Sequence, residues 1–206
     1  MLTYSGLIDK ATFVAGMEAH RAANRLVQGQ YWGPDQRGCA VGCGLQTINE
    51  KLGRNEWRGN ERVLSTYLGW PVWSVYLQEE IFETLPKSAA LDWPVKLAAA
   101  IPTGVELQPA ARRITLRVLV EILKTKNCQT GWSYVKSAHD VIHCFIDAMI
   151  DRHFWRSSDY AWYPLIHNMV EVLHKPKLKE EDWNKLKQEV WAKIAEITLQ
   201  EVSKCR

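Results

Sequence analysis

Apolar residues recur at three- and four-residue steps through most of this chain, and no stretch alternates in the two-residue manner of a strand. Trp183, Leu186, Val190, Ile194 and Ile197 keep that step near the C-terminus, and Ile114, Val118, Leu119, Ile122 and Leu123 keep it between Pro109 and Lys126. Such spacing lays one apolar stripe along a helix. No Asn-Gly or Asp-Gly hairpin turn interrupts it. The expectation is an all-α fold: a compact single domain of about eight or nine helices. At most it has a minor short strand pair, with Thr103 to Leu107 as the candidate segment.

Glycine, proline and capping residues punctuate the helices. Asp9 is placed to cap a first helix that runs to about Gln28 and stops at Gly29. A Gly/Pro loop over residues 29–38 leads into a helix from Ala40 to Leu52, closed by Gly53. Asn60 caps a helix through Tyr67, and Pro71 opens one that reaches Leu85 before Pro86. Asp92 and Pro94 open a short helix ended by Pro102. Further helices are expected over Pro109 to Lys126, Gly131 to about Trp155, Asp159 to His174, and beyond Pro176. A chain of 206 residues fits one such domain, 1–206. The alternative division is a core over 1–127 and a C-terminal helical unit over 128–206.

Ten tryptophans spread along the chain supply large core anchors, and any that faces outward is a favoured interface residue. The net charge of +3 is too small to imply nucleic acid by itself. No apolar run reaches the length of a membrane helix, and the N-terminus lacks the pattern of a secretory signal. Five cysteines, an odd number, fit reduced thiols better than a disulfide framework. A cytoplasmic location and no membrane partner are therefore expected.

Four groups of residues bear on chemistry. Residues 37–45, Arg-Gly-Cys-Ala-Val-Gly-Cys-Gly-Leu, pack two thiols and three glycines into nine positions at the expected entry to a helix. Free backbone N–H groups and the helix dipole favour a thiolate there, so Cys39 is a candidate nucleophile, with Gln36 as a candidate oxyanion donor. The plainer reading is that the small residues let another helix approach, with cysteine as a small hydrophobe. His139 and His143, in His-Asp-Val-Ile-His, have the spacing of a zinc helix with Asp in place of Glu, and are the candidate metal ligands. No cofactor is expected, with zinc at this pair as the alternative, and the border of an apolar helix face is the more ordinary place for both rings. Arg112, Arg113 and Arg117 lie on a basic helix face and are the candidates for phosphate contacts with nucleic acid. The tail helix mixes both charges around its stripe, a pattern that suits packing or a homodimer. Walker, dinucleotide-binding, nucleophile-elbow and EF-hand signatures are missing.

Tyr31-Trp32 followed by Arg37-Gly-Cys-Ala-Val-Gly-Cys43 resembles the opening motif of a family of bacterial and prophage proteins with no established activity. The likeness continues through Leu68-Gly-Trp-Pro71, Glu80-Ile-Phe-Glu-Thr-Leu-Pro86, Trp93-Pro94 and Ala100-Ile-Pro-Thr-Gly104, covering roughly residues 20 to 125. It implies a lineage and no particular reaction. Members of that family often carry a histidine three residues after the second cysteine, where this chain has Gln46. The C-terminal third departs from the family's Ala-rich end. The leading expectation is a phage- or prophage-type accessory protein that binds a host protein, with a defence protein as one target. A cysteine- or metal-dependent hydrolase and a nucleic-acid-binding protein are the rivals.

Overall fold

A computed structural model describes residues 2–54, 60–124 and 179–206. The described residues form seven helices and no strand. They are α1 (Lys10–Ala22), α2 (Ala40–Leu52), α3 (Glu61–Leu68), α4 (Val72–Thr84), α5 (Lys87–Ala100), α6 (Gln108–Lys124) and α7 (Glu180–Val202). The all-α expectation holds. The two further helices expected between Gly131 and His174 lie outside the described residues.

Local chemistry accounts for most boundaries. Asp9 accepts the Thr12 backbone N–H at 2.9 Å and Asn60 accepts those of Arg62 and Val63, so both cap their helices. Gly53 and Gly69 end α2 and α3 in the left-handed conformation, which costs glycine nothing. Two expected boundaries move. The first helix stops at Ala22 instead of Gln28, because Asn24 takes a left-handed turn (φ 54°) and the chain leaves as a loop. The helix expected to open at Asp92 begins at Lys87, directly after Pro86, and carries Pro94 inside it. Residues 103–107 form a turn with no strand, yet they are held to the N-terminus: Thr3 N–H donates to the Val105 carbonyl and Gly104 N–H to the Thr3 carbonyl.

One apolar core runs through the described residues, from Tyr4 and Ile8 to Val202 and Cys205. α4 is central to it, packed on by α2, α3, α5 and α7. Trp70, Trp73, Trp93, Trp183 and Trp191 are all buried, so these five serve as core anchors and none is offered to a partner. Most of the α7 stripe is buried against α6, α4 and α5, and the C-terminal helix thus shares the core of the first six. No helix among the described residues is long and apolar enough to cross a membrane.

Candidate functional site

The Gly/Cys segment enters α2 beneath the loop of residues 23–38. Leu26 is buried and anchors this loop, while Val27 N–H donates to the Gly38 carbonyl and Gly38 N–H to the Arg25 carbonyl, at 2.9 Å each. The loop thereby closes on itself. Its tip is the turn Tyr31 to Arg37, tied by Gly33 N–H to the Arg37 carbonyl at 2.7 Å. The Gln30 side chain braces the turn from inside, donating to Asp35 and to the Arg37 carbonyl. On the side facing α4, Gln28 Nε2 donates to the Phe82 and Leu85 carbonyls at 2.7 and 2.9 Å.

The glycines of the segment make room for this loop. A Cβ on Gly42 would lie 1.7 Å from the Tyr31 carbonyl oxygen, and one on Gly38 would lie 2.2 Å from the same atom. Gly44 alone of the three faces neighbouring helices, against Leu64 of α3 and Phe13 of α1. Close helix approach explains Gly44, and close backbone approach of the loop explains the other two.

Cys39 is the N-cap of α2, and Gly42 N–H points at its sulfur at 3.5 Å. The helix end does not produce a thiolate. Burial pushes the Cys39 thiol far above its ordinary range, and the charge of Glu79, to which it is hydrogen-bonded, pushes the same way. Cys43 is fully buried; burial raises its thiol to about 12, and its S–H points to the Gly38 carbonyl at 3.4 Å. Each thiol has its own surroundings, and Cys43 is not part of the donor cluster that includes Cys39.

The only histidine among the described residues is His20, buried on α1 with its ring edge-on to Trp32 at 5.9 Å. It is hydrogen-bonded to the Cys43 backbone, and burial lowers its pKa, which favours the neutral ring. Gln36 is exposed at the loop tip in a left-handed conformation (φ 59°), in a groove with Tyr31, Trp32, Gly33 and Pro34 that Cys39 does not line. The Cys39/Gln36 pairing expected of a nucleophile and its oxyanion donor is thus not assembled: the amide faces solvent and the thiol is buried.

Instead, α4 brings two carboxyls to the cap. Cys39 Sγ and oxygens of Glu79 and Glu83 lie within 4.8 Å of one another. Glu79 accepts Val41 N–H at 3.2 Å and Glu83 accepts Gly29 N–H at 2.7 Å. Burial, with the neighbouring charges of Glu83 and Glu61, raises the Glu79 carboxyl to about 7. Burial raises Glu83 as well, with Glu80 adding to it. The positive end of the α2 dipole opposes a cation at this point. Sequence reasoning passed over both glutamates. Their i,i+4 spacing was the available signal, since like charges so placed repel unless something lies between them.

The basic face of α6 is largely committed. Arg113 Nε and Arg117 Nη1 each meet a Glu201 oxygen at 2.7 Å, Arg113 also reaches the Glu201 carbonyl at 2.9 Å, and Lys204 joins at 2.7 Å. Glu201 is 2% exposed. Burial alone would raise its carboxyl, but hydrogen bonds from Lys204, Arg117 and Arg113 outweigh that and lower it to about 2. Arg112 is exposed on the same helix. The candidate zinc ligands His139 and His143 lie outside the described residues. No protein-family model matches the chain, and no curated protein or solved structure is similar enough to count as a relative.

Proposed function

We propose that the protein acts by docking on another protein through the Tyr31 to Pro34 turn, as an accessory factor of phage or prophage type directed at a host protein. In its most specific form the target belongs to a host defence system. One observation carries the reading. The loop offers Tyr31, 41% exposed, and half-buried Trp32 beside Pro34, on a backbone already braced by hydrogen bonds from Gln28, Gly33, Gln30 and Gly38. Aromatic anchors on a pre-ordered loop lose little entropy on binding, which is what an interface hot spot requires. The residues that carry the likeness to prophage proteins, Tyr31-Trp32 and Arg37 to Cys43, are those of this loop and its glycine bed.

The rival readings have less support. A thiol nucleophile needs an ionisable, accessible sulfur, and Cys39 is buried beside an acid. A phosphate-binding face needs uncommitted cations, and Arg113 and Arg117 are paired with Glu201.

The test is affinity capture from nuclease-treated host lysate with wild type, Tyr31→Ala and Leu116→Ala. Leu116 is an exposed apolar residue of α6 and serves as the control. A stoichiometric protein held by wild type and Leu116→Ala but lost by Tyr31→Ala supports the reading. A partner that Tyr31→Ala retains, or recovery that disappears with nuclease, contradicts it.

A further inference from the structure

The base of the loop holds a second device. We propose that Glu79 and Glu83 form a proton-linked latch on α4, in which one shared proton steadies the backbone on both sides of the Tyr31 to Arg37 turn and its loss loosens it. Their oxygens lie within 4.8 Å of one another, and two ionised carboxylates so placed repel, so a proton between them relieves the pair. Each carboxyl also grips a backbone N–H on a different side of the Tyr31 to Arg37 turn. Glu83 takes Gly29, just before the Tyr31 turn, and Glu79 takes Val41, in the first turn of α2, with the Cys39 side chain as a further hydrogen-bond partner. Removing the proton leaves two anions one helical turn apart, and their repulsion pulls at both contacts. Gln28, bonded to the Phe82 and Leu85 carbonyls, holds the loop independently, so it loosens without leaving.

Burial favours the proton and outweighs the Val41 and Gly29 N–H groups and the Cys39 thiol, whose hydrogen bonds favour the anions. Glu61 at the start of α3 and Glu80 on α4 add negative charge, and Tyr31 and Cys39 face the pair as neutral groups held protonated by burial. From α2, Cys43 senses both Glu79 and the cation of Arg25, and α5 meets α4 elsewhere, with Trp93 Nε1 donating to the Gln78 carbonyl. The raised Glu79 carboxyl, at about 7, puts the opening near neutrality. The latch concerns how the loop is anchored and stands apart from docking. Only its consequence, that protonation sharpens the presentation of Tyr31 and Trp32, rests on the function proposed above.

Amide hydrogen exchange read by NMR tests it, each rate divided by the intrinsic rate at that pH. Between about pH 5.5 and about pH 8.5 the protection of Gly29 and Val41 should fall about tenfold or more in wild type. That of Val190 in α7 should stay level. In Glu83→Gln the amide N–H donates permanently, and the fall should vanish while the folded state persists. Glu79→Gln gives the same reading if the first variant does not fold. Level protection in wild type, or an equal fall in both wild type and the glutamine variant, overturns the latch. Neither result depends on Tyr31, so failure of the latch and failure of the docking reading are told apart.

Discussion

Two carboxyl junctions, on α4 and on α7, use the same side chain in opposite ways. At the base of the loop, Glu79 and Glu83 lie together with no cation paired to them among the described residues, and the proposed proton holds the pair. Between α6 and α7, Glu201 is 2% exposed and yet ionised, because Arg113, Arg117 and Lys204 converge on it. Burial pushes both carboxyls toward the neutral form. What differs is whether donors of positive charge outweigh it. The α6/α7 junction is therefore built to stay fixed across the neutral range, and the loop junction is built to respond within it.

The largest effect should come from breaking the loop's bed. Gly42→Ala sets a Cβ 1.7 Å from the Tyr31 carbonyl and is expected to cost about 3 kcal/mol in chemical denaturation, because backbone on both sides resists the shift. Next comes the α6/α7 junction. Arg113→Met removes the bonds to the Glu201 carboxylate and carbonyl and should cost about 2 kcal/mol, moderated because the guanidinium is 38% exposed and Arg117 and Lys204 remain. High salt should narrow that difference.

The pH dependence separates the two junctions more sharply. A carboxyl whose folded pKa is raised binds more protons when folded, so Glu79 stabilises the fold below its ordinary value of 4.5. That contribution is lost as pH rises from 4.5 through about 7. Glu201 runs the other way: its contribution is present above 4.5 and is lost as pH falls toward about 2. Glu83→Gln should accordingly stabilise on the order of 1 kcal/mol at pH 8 and leave stability at pH 5 nearly unchanged, in paired denaturation curves. The smallest stability effect belongs to Tyr31→Ala, under about 1 kcal/mol, since its ring is 41% exposed. A large loss of stability there would mean that the ring serves the fold and is not held for a partner.

The sequence displayed its helices more openly than its junctions. Gly53, Asn60, Pro71 and Pro86 act locally, and each marks a boundary within a residue of where the structure has it. Leu26 misled because its spacing suits a continuation of α1, while its actual partners lie in a loop that closes twelve residues later, at Gly38. Pro94 misled because proline opens helices more often than it sits inside them, and here a helix already begun at Lys87 passes through it. The thiol at Cys39 was legible as a helix cap. What decides its chemistry, Glu79, comes from another helix 40 positions along, and no local pattern announces that meeting. Glu201 looked like one charge among many on a mixed tail helix, until α6 supplied the arginines that make it a buried ion.

The most direct measurement is a side-chain carboxyl 13C NMR titration of Glu79, Glu83 and Glu201 in the intact protein. One proton should leave the Glu79/Glu83 pair near pH 7, while Glu201 stays ionised down to about pH 2. If all three titrate together near 4.5, the ordinary glutamate value, the two junctions do not differ in the way described.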